Sequence, residues 1–341
     1  MANVHMLAFG PVPSRRLGKS LGVNNIPPKT CSYSCVYCQL GRTTNVTTER
    51  RAFFKPEDVL HEVEGKIAQA VSRKEKIDYL TFVPDGEPTL DAHLGAEISL
   101  LRQLQIPIAV LTNASLFWQS GVREDLLGAD LVSLKVDSVS EKLWRRIDRP
   151  HRVLKLQTVL DSMLEFAEEF EGTIISETML LDEVDYGNES ERIAEFLGQL
   201  KKLDKAYIGI PTRPPAEKWV RPAREEVVNA CFQVFAKELG ADRVEYLIGY
   251  EGNAFASTGN AEDDLMSIAA VHPMREEAVV ELLRKSNADW QVVQKLLHEY
   301  RLVELRYEGI KYYMRMLPSR KRDAEKASDH SVESHEGCHH A

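Results

Sequence analysis

Three of the five cysteines, Cys31, Cys35 and Cys38, lie within eight residues in the spacing C-x3-C-x2-C. Thiolates this close can bind three irons of a cubane iron–sulfur cluster and leave the fourth iron open, whereas four-cysteine sites close the cluster for electron transfer. The alternatives are a structural zinc site, which needs four ligands, and cysteines packed in a core. No fourth Cys or His lies nearby in the sequence, so the spacing favours a [4Fe–4S] cluster with one open iron.

A second set of residues could bind a charged ligand where predicted strands end. Asp85, Gly86 and Glu87 follow the β-rich run DYLTFVP, and Asn113 follows the apolar run IPIAVLT. Read without context, DGEP is a turn. Its position after a strand favours binding, because backbone carbonyls and a carboxylate suit an ammonium group.

Polar residues also alternate within predicted strands. Ser133, Lys135 and Asp137 share one face because side chains alternate across a strand, and Glu177 lies on the next strand along the chain. Polar groups on a buried face are costly unless they have partners. These residues are therefore candidates for ligand binding, with a solvated outer face as the alternative.

Arginines complete the candidate site. Arg15 and Arg16 form a basic cluster with Lys19 before the cysteines, and Arg213 follows the run KAYIGI. A guanidinium group can grip a carboxylate or a phosphate. We expect Arg15, Arg16, Arg213 and Asp137 to lie on the substrate side of the site.

These residues must be positioned by alternating strands and helices. The strand-like runs are 21–26, 78–83, 106–112, 130–136, 172–181, 205–210 and 243–249. The helical runs are 56–73, 91–104, 119–127, 152–170, 188–202 and 223–239. About six alternations imply a parallel sheet with helical crossovers. The expected fold is α/β, a partial (β/α)6 TIM-like barrel with its chemistry at the carboxyl ends of the strands.

The pattern changes after about residue 255. Runs typical of a helix, a second helix and a β-hairpin cover 272–285, 289–300 and 301–317, which resembles a winged helix. The predicted domains are a barrel with an N-terminal extension over 1–255, a winged-helix-like domain over 268–318 and a disordered tail over 319–341. The second helix is not basic, so a packing role is favoured over nucleic-acid binding.

The motif C-x3-C-x2-C, with Tyr37 before the last cysteine, resembles the signature of the radical S-adenosylmethionine (SAM) superfamily over roughly residues 20–240. The resemblance implies that SAM chelates the open iron and is reductively cleaved to a 5′-deoxyadenosyl radical. Asp85, Gly86 and Glu87 stand in the place of the superfamily's GGE motif. The resemblance implies SAM contacts from these three residues and from Asn113, Ser133, Lys135 and Glu177.

The stretch FGPVPSRRLGKSLGVNNIPPKTC is similar to a subgroup of radical SAM proteins that modify tRNA in wyosine synthesis. Those enzymes carry further cysteines for a second cluster, whereas only Cys231 and Cys338 remain in this chain. The expected partners are an electron donor such as flavodoxin or ferredoxin and a substrate that is RNA, a peptide or a small molecule. An alternative is an iron–sulfur redox sensor that binds DNA through the winged helix.

The composition argues against several classes of protein. The net charge of −9 is unlike the basic domains of dedicated nucleic-acid binders. No apolar run approaches the ~20 residues that span a bilayer, and the N-terminus does not resemble a secretory signal. We therefore expect a cytoplasmic protein with no membrane partner.

Overall fold

The computed structural model describes residues 6–316 apart from 250, 251, 253, 254, 256 and 258. Its strands are β1 Ala8–Ser14, β2 Gly18–Val23, β3 Thr30–Cys31, β4 Asn45–Val46, β5 Tyr79–Phe82, β6 Ile108–Thr112, β7 Leu131–Lys135, β8 Thr173–Met179, β9 Leu203–Gly209, β10 Val244–Leu247, β11 Met274–Arg275, β12 Leu302–Tyr307 and β13 Ile310–Arg315. Its α-helices are α1 Pro56–Ser72, α2 Leu94–Leu101, α3 Ser120–Leu126, α4 Glu141–Ile147, α5 Leu156–Glu169, α6 Glu189–Gln199, α7 Glu225–Leu239, α8 Ala261–Val271, α9 Glu276–Lys285 and α10 Gln291–His298.

One eight-stranded sheet has the order β1-β2-β5-β6-β7-β8-β9-β10. β1 pairs antiparallel with β2, and all the other neighbours in this sheet are parallel. Helical crossovers follow β2, β5, β6, β7, β8 and β9. The sheet curls into a partial barrel with six βα units, and the prediction of an α/β partial barrel is confirmed.

Within the eight-stranded sheet, the strand that the sequence pattern missed is β1, at the edge. Pro11 and Pro13 lie within it, and a proline cannot donate a backbone hydrogen bond, so it reads as a break in a strand. An edge strand tolerates proline because one side of it has no neighbour. The register also shifts between Phe9 and Val12, which obscures the alternation further.

Apolar side chains separate the two faces of the sheet. In α5, Leu156, Val159, Met163 and Phe166 recur at helical spacing and are all buried, so this helix packs an apolar stripe toward the core. Burial of each such side chain contributes about 1.5–3 kcal/mol. With the helices covering one face, polar side chains near the strand ends face the inside of the partial barrel. Among the described residues, no helix has the length and apolar character needed to cross a membrane.

The C-terminal module (residues 261–316) contains α8 to α10 and a three-stranded antiparallel sheet in the order β11-β13-β12. The predicted helix over 272–285 begins only at Glu276, because Pro273 disfavours helical backbone at His272 and residues 274–275 pair with β13 instead. Helix α8 was not predicted, and position 268, the predicted start of the module, lies within it. The predicted tail over 319–341 lies outside the described residues.

The module is packed against the barrel rather than linked to it by a spacer. Phe9 and Val12 of β1 belong to the same apolar cluster as the core of the module. The hydroxyl groups of Tyr307 and Tyr312 donate hydrogen bonds to the backbone oxygens of Pro211 (3.3 Å) and Thr212 (2.8 Å), in the loop after β9. The module is therefore fixed above the carboxyl ends of the strands.

Replacing Phe9 by Ala should lower the free energy of unfolding by about 3–5 kcal/mol, because it leaves a cavity where β1 meets the module. Urea denaturation measures this change. Val71→Ala is the matched control, since Val71 is 66% exposed and its truncation should stay within about 0.5 kcal/mol. Equal stabilities of the two variants would contradict the shared core.

Candidate functional site

A cavity of 410 Å³ opens at the carboxyl ends of the parallel strands. All of the predicted site residues except Asp137 line it. The turn between β1 and β2, the cysteine loop (residues 31–41) and the start of the C-terminal module complete its wall. Residues far apart in the sequence thus meet at the edge of the sheet where strand ends converge.

The cysteine loop is held in shape by a buried lysine that the sequence did not single out. The ammonium group of Lys29 donates hydrogen bonds to the backbone oxygens of Leu40 and Gly41, the latter at 2.6 Å. The backbone N–H of Cys38 bonds to the carbonyl of Cys35 at 3.1 Å. Lys29 therefore joins the two ends of the loop that carries the cysteines.

The three cysteines are free, half-buried thiols on the cavity wall. Burial, with a smaller contribution from Glu87, raises the pKa of Cys31 to about 12. Burial and the nearby carboxyl of Asp148 raise the pKa of Cys35. Cys231, the other described cysteine, is buried in α7.

The donor set suits an iron–sulfur cluster better than a single ion. In residues 6–316, omitting the six undescribed positions, no three His, Cys, Asp or Glu side chains converge on one metal site. A cubane cluster does not need such convergence, because each thiolate binds a different iron. Three thiols around one cavity therefore fit a cluster and do not fit structural zinc.

The segment 85–87 lies directly against the cysteine strand β3. A Cβ atom on Gly86 would lie 1.7 Å from the backbone oxygen of Thr30, so only glycine allows this contact. The carboxylate of Asp85 is buried, and neither of its oxygens has a hydrogen-bond partner. Burial raises the pKa of Asp85 to about 7, although the charges of Arg315 and Lys29 act in the opposite direction. An unpaired buried carboxylate at a cavity wall fits a cationic ligand group.

Glu87 is engaged by the protein itself. Its carboxylate accepts hydrogen bonds from the hydroxyl of Thr112 at 2.5 Å and the backbone N–H of Asn113 at 2.8 Å. It also caps the short turn of helix at 88–90 through the N–H of Thr89. Asn113 in turn donates to the hydroxyl of Ser32 at 2.9 Å and approaches the Sγ atom of Cys31 at 3.7 Å. Glu87 thus ties the end of β6 to the cysteine strand.

Ser133, Lys135 and Glu177 face the cavity as the alternation along β7 and β8 predicts. The ammonium group of Lys135 lies 3.0 Å from Glu177 and 3.4 Å from Asp137. Arg16 forms a second ion pair with Glu177. Burial alone would raise the pKa of Glu177, but the charges of Lys135 and Arg16 lower it to about 2.

Asp137 does not line the cavity with Ser133 and Lys135, and its substrate role stays a prediction. Strand β7 ends at Lys135, so the alternation does not extend to Asp137, which is buried and absent from the cavity wall. Its carboxylate accepts hydrogen bonds from the backbone N–H of Met179 at 2.6 Å and from the hydroxyl of Tyr37. The hydroxyl oxygen of Tyr37 also lies 2.9 Å from Oδ1 of Asp148, and Asp148 lies 3.5 Å from the Sγ atom of Cys35.

Tyr37 and Asp148 therefore connect the cysteine loop with the charged residues of β7 and β8. Burial and the charge of Asp137 raise the pKa of Asp148. Tyr37 could be noticed beside the cysteines in the sequence, but its partners could not. Asp148 follows α4 in the run RIDRP, which carries no signal of a ligand site.

Comparison with known proteins agrees with this arrangement. A family model described as the radical SAM superfamily matches residues 25–197. The UPF0026 protein MJ1312 of Methanocaldococcus jannaschii is 49% identical over 318 residues, which cover 93% of this chain and 98% of that protein. The UPF0026 protein slr1464 of Synechocystis is 36% identical over 208 residues, 60% of this chain and 76% of that protein.

Among solved structures, a radical SAM methyltransferase from Sphaerobacter thermophilus aligns with a TM-score of 0.52 and 15% identity. The alignment covers 67% of this chain and 66% of that chain, and it shows a shared fold. An archaeal TYW1 aligns with a TM-score of 0.42 and 11% identity over 64% of this chain and 72% of that chain. This second likeness is too low to support an assignment to a subgroup.

Replacing Lys135 by Met should lower the free energy of unfolding by about 3–5 kcal/mol, because it leaves buried carboxylates without their cation. Lys201→Met is the control, since Lys201 and its partner Glu168 are 65% and 54% exposed and such pairs contribute about 1 kcal/mol or less. Urea denaturation at neutral pH compares the two losses.

The difference in unfolding free energy between wild type and Lys135→Met should depend on pH. Because the pKa of Glu177 is lowered to about 2 in the folded protein, its pairing stabilises the fold above the unfolded pKa of about 4.3. That stability is lost as the pH falls through about 2. The difference between wild type and Lys135→Met should therefore shrink in acid, and a constant difference would contradict the role of the pair.

Proposed function

The chain belongs to the radical SAM superfamily, and we propose that its cavity holds a [4Fe–4S] cluster on Cys31, Cys35 and Cys38 with SAM beside it. Enzymes of this superfamily use these two cofactors, which when bound supply a 5′-deoxyadenosyl radical for hydrogen abstraction from a substrate. The observation that carries the proposal is that three half-buried thiols border the same cavity as an unpaired carboxylate, Asp85.

The proposed role of the protein around the cofactors is to position the cluster and SAM relative to each other. Lys29 fixes the loop that presents the thiols, and Glu87 fixes Asn113 next to Cys31. The cysteines are half-buried rather than enclosed, which suits reduction by an external electron donor such as a flavodoxin or ferredoxin.

We assign the amino group of SAM to Asp85. A carboxylate in the place of the first glycine of the GGE motif adds a charge that backbone carbonyls alone do not offer. Lys135 and Ser133 would contact the carboxylate and ribose of SAM, and Glu177 a hydroxyl group. Because Lys135 and Glu177 already hold each other at 3.0 Å, their side chains are oriented before the ligand arrives.

We assign a winged-helix-like fold to the C-terminal module, with packing as its role. RNA modification and DNA-binding redox sensing both require an exposed basic face. The basic side chains of the module are largely paired: Lys295 with Glu262 at 2.8 Å, and Lys311 with Glu276 at 2.9 Å. Its contacts with residues 211 and 212 support a place in the cavity wall instead.

Anaerobic reconstitution with iron and sulfide should load one cluster per chain, and the Cys35→Ala variant should lose it because one of three thiolate ligands is gone. Iron and sulfide analysis with visible absorption measures loading. Cys231→Ala is the control, because this buried thiol lies in α7 away from the cavity. A complete cluster in the Cys35→Ala protein would refute the ligand assignment.

Addition of SAM to the dithionite-reduced, loaded protein should change the EPR spectrum of the cluster and yield 5′-deoxyadenosine, since the open iron is where SAM binds. Cys231→Ala should behave as wild type in both measurements. An unchanged EPR spectrum in a fully loaded protein would remove SAM cleavage as the function.

The Asp85→Asn variant should bind SAM about 10–100-fold more weakly, because a charge-assisted contact is worth about 1.5–3 kcal/mol. Wild-type affinity should rise from about pH 6 to about pH 7.5 as Asp85, with its pKa near 7, becomes ionised. The variant should lack this rise. Asp182→Asn, at a position outside the cavity wall, is the control for equilibrium dialysis. Equal affinities of the two variants would exclude Asp85 as the contact of the SAM amino group.

A further inference from the structure

One corner of the cavity is lined by basic groups that the SAM assignment leaves unused. Arg15 comes from the turn between β1 and β2, Arg213 from the loop after β9, and His272 from the C-terminal module. Gln39, next to Cys38, completes the corner. These four residues form what we call the arginine corner.

The guanidinium group of Arg15 has one N–H donor that the protein does not use. Its Nη1 atom is buried and has no hydrogen-bond partner. Its neighbour Arg16 is paired with Glu177, which also serves Lys135. Burial and the charge of Arg16 lower the pKa of Arg15, and the opposing influence of Glu177 is smaller than either. A buried guanidinium donor without an acceptor is costly, and an anion at the cavity wall would remove that cost.

Arg213 contacts two other members of the arginine corner, Gln39 and His272. Its guanidinium group donates to Oε1 of Gln39 at 2.9 Å and lies 3.0 Å from Nε2 of His272. Since arginine can only donate, Nε2 of His272 must accept, and the imidazole is neutral with its proton on Nδ1. Burial and the charges of Arg213 and Arg15 lower the pKa of His272, which agrees with this tautomer. The amide of Gln39 is itself fixed, because its Nε2 donates to the backbone oxygen of Val271 at 2.8 Å.

The arginine corner and Asp85 are influenced by different charged groups of the protein. The charged groups that act on Asp85 are Arg315 and Lys29, whereas those that act on Arg15 are Arg16 and Glu177. The amino and carboxylate groups of SAM are bonded to the same carbon atom, and their assigned contacts are Asp85 and Lys135, which leaves Arg15 and Arg213 for a different anion.

We propose that the arginine corner binds the carboxylate or phosphate group of the substrate, which is therefore a small anionic molecule. This inference rests on the proposed function and names its substrate class. The cavity of 410 Å³ lies at the lower end of the about 300–1,000 Å³ typical of ligand sites, and it must also hold the cluster and SAM, which leaves little room for the substrate. Arg15 lines this cavity, and a small anion can enter it more readily than the backbone of a polymer can. The planar guanidinium fork suits a carboxylate or a phosphate equally.

The test is calorimetric titration of the loaded, SAM-saturated full chain with inorganic phosphate and, separately, with acetate at constant ionic strength. Wild type should bind at least one of these probes with one-to-one stoichiometry. Arg15→Gln should weaken that binding about tenfold or more, because it removes a charge-assisted contact. Arg15→Lys should bind the probe with an affinity between those of wild type and Arg15→Gln, since it keeps the charge and loses the planar guanidinium group. Arg284→Gln, at a side chain 72% exposed on the module, should bind as wild type.

Three outcomes would overturn the proposal. The first is that neither probe binds the wild type, and the second is that Arg15→Gln and Arg15→Lys both bind the probe as wild type does. The third is that Arg15→Gln weakens SAM binding by the same factor as probe binding, which would assign the corner to SAM. Cluster content, SAM affinity and melting temperature are measured on the same samples. Loss of cluster or SAM binding in the wild type would instead refute the proposed function, so the two failures are distinguishable.

Discussion

The ammonium group of Lys135 lies between the carboxylates of Glu177 and Asp137, and the architecture of the cavity depends on this balance of buried charge. Glu177 also forms an ion pair with Arg16, which lies in the turn between β1 and β2. The N-terminal edge of the sheet is therefore tied across the cavity to β8. An unmatched charge in such a place is far more costly than a mismatched apolar contact. The position of the edge strand and the shape of the cavity wall are therefore consequences of electrostatic pairing as much as of apolar packing.

The sequence was most informative where one local pattern determines one structural element. The apolar runs that became β5, β6 and β7 are bounded by turn residues, and the alternation of Ser133 and Lys135 correctly predicted one shared face. The alternation does not predict that β7 ends at Lys135, which is why Asp137 was expected on the cavity wall. The edge strand was missed because two prolines obscure its pattern, and the helix at 261–271 was missed although the side chain of Asn260 caps its first turn.

Several contacts around the site join segments more than 80 residues apart, and no local pattern could reveal them. Asp148 meets Tyr37 across 111 residues, and Gln39 meets the backbone of Val271 across 232. Such partners are selected by the curvature of the sheet and by the docking of the C-terminal module. Gln39 is the clearest case: one amide links the cysteine loop, the loop after β9 and the module. The module is thus part of the site's own framework.

The contact between Gly86 and Thr30 limits how this site can evolve. The atom that a Cβ at position 86 would strike is a backbone oxygen, so no change of side chain at position 30 can make room for it. Any lineage that replaced this glycine would first have to move the strand that ends in Cys31. Variation in ligand preference must therefore arise at side chains around the opening, such as Asp85 and Arg15, while the backbone beneath the cysteines stays unchanged.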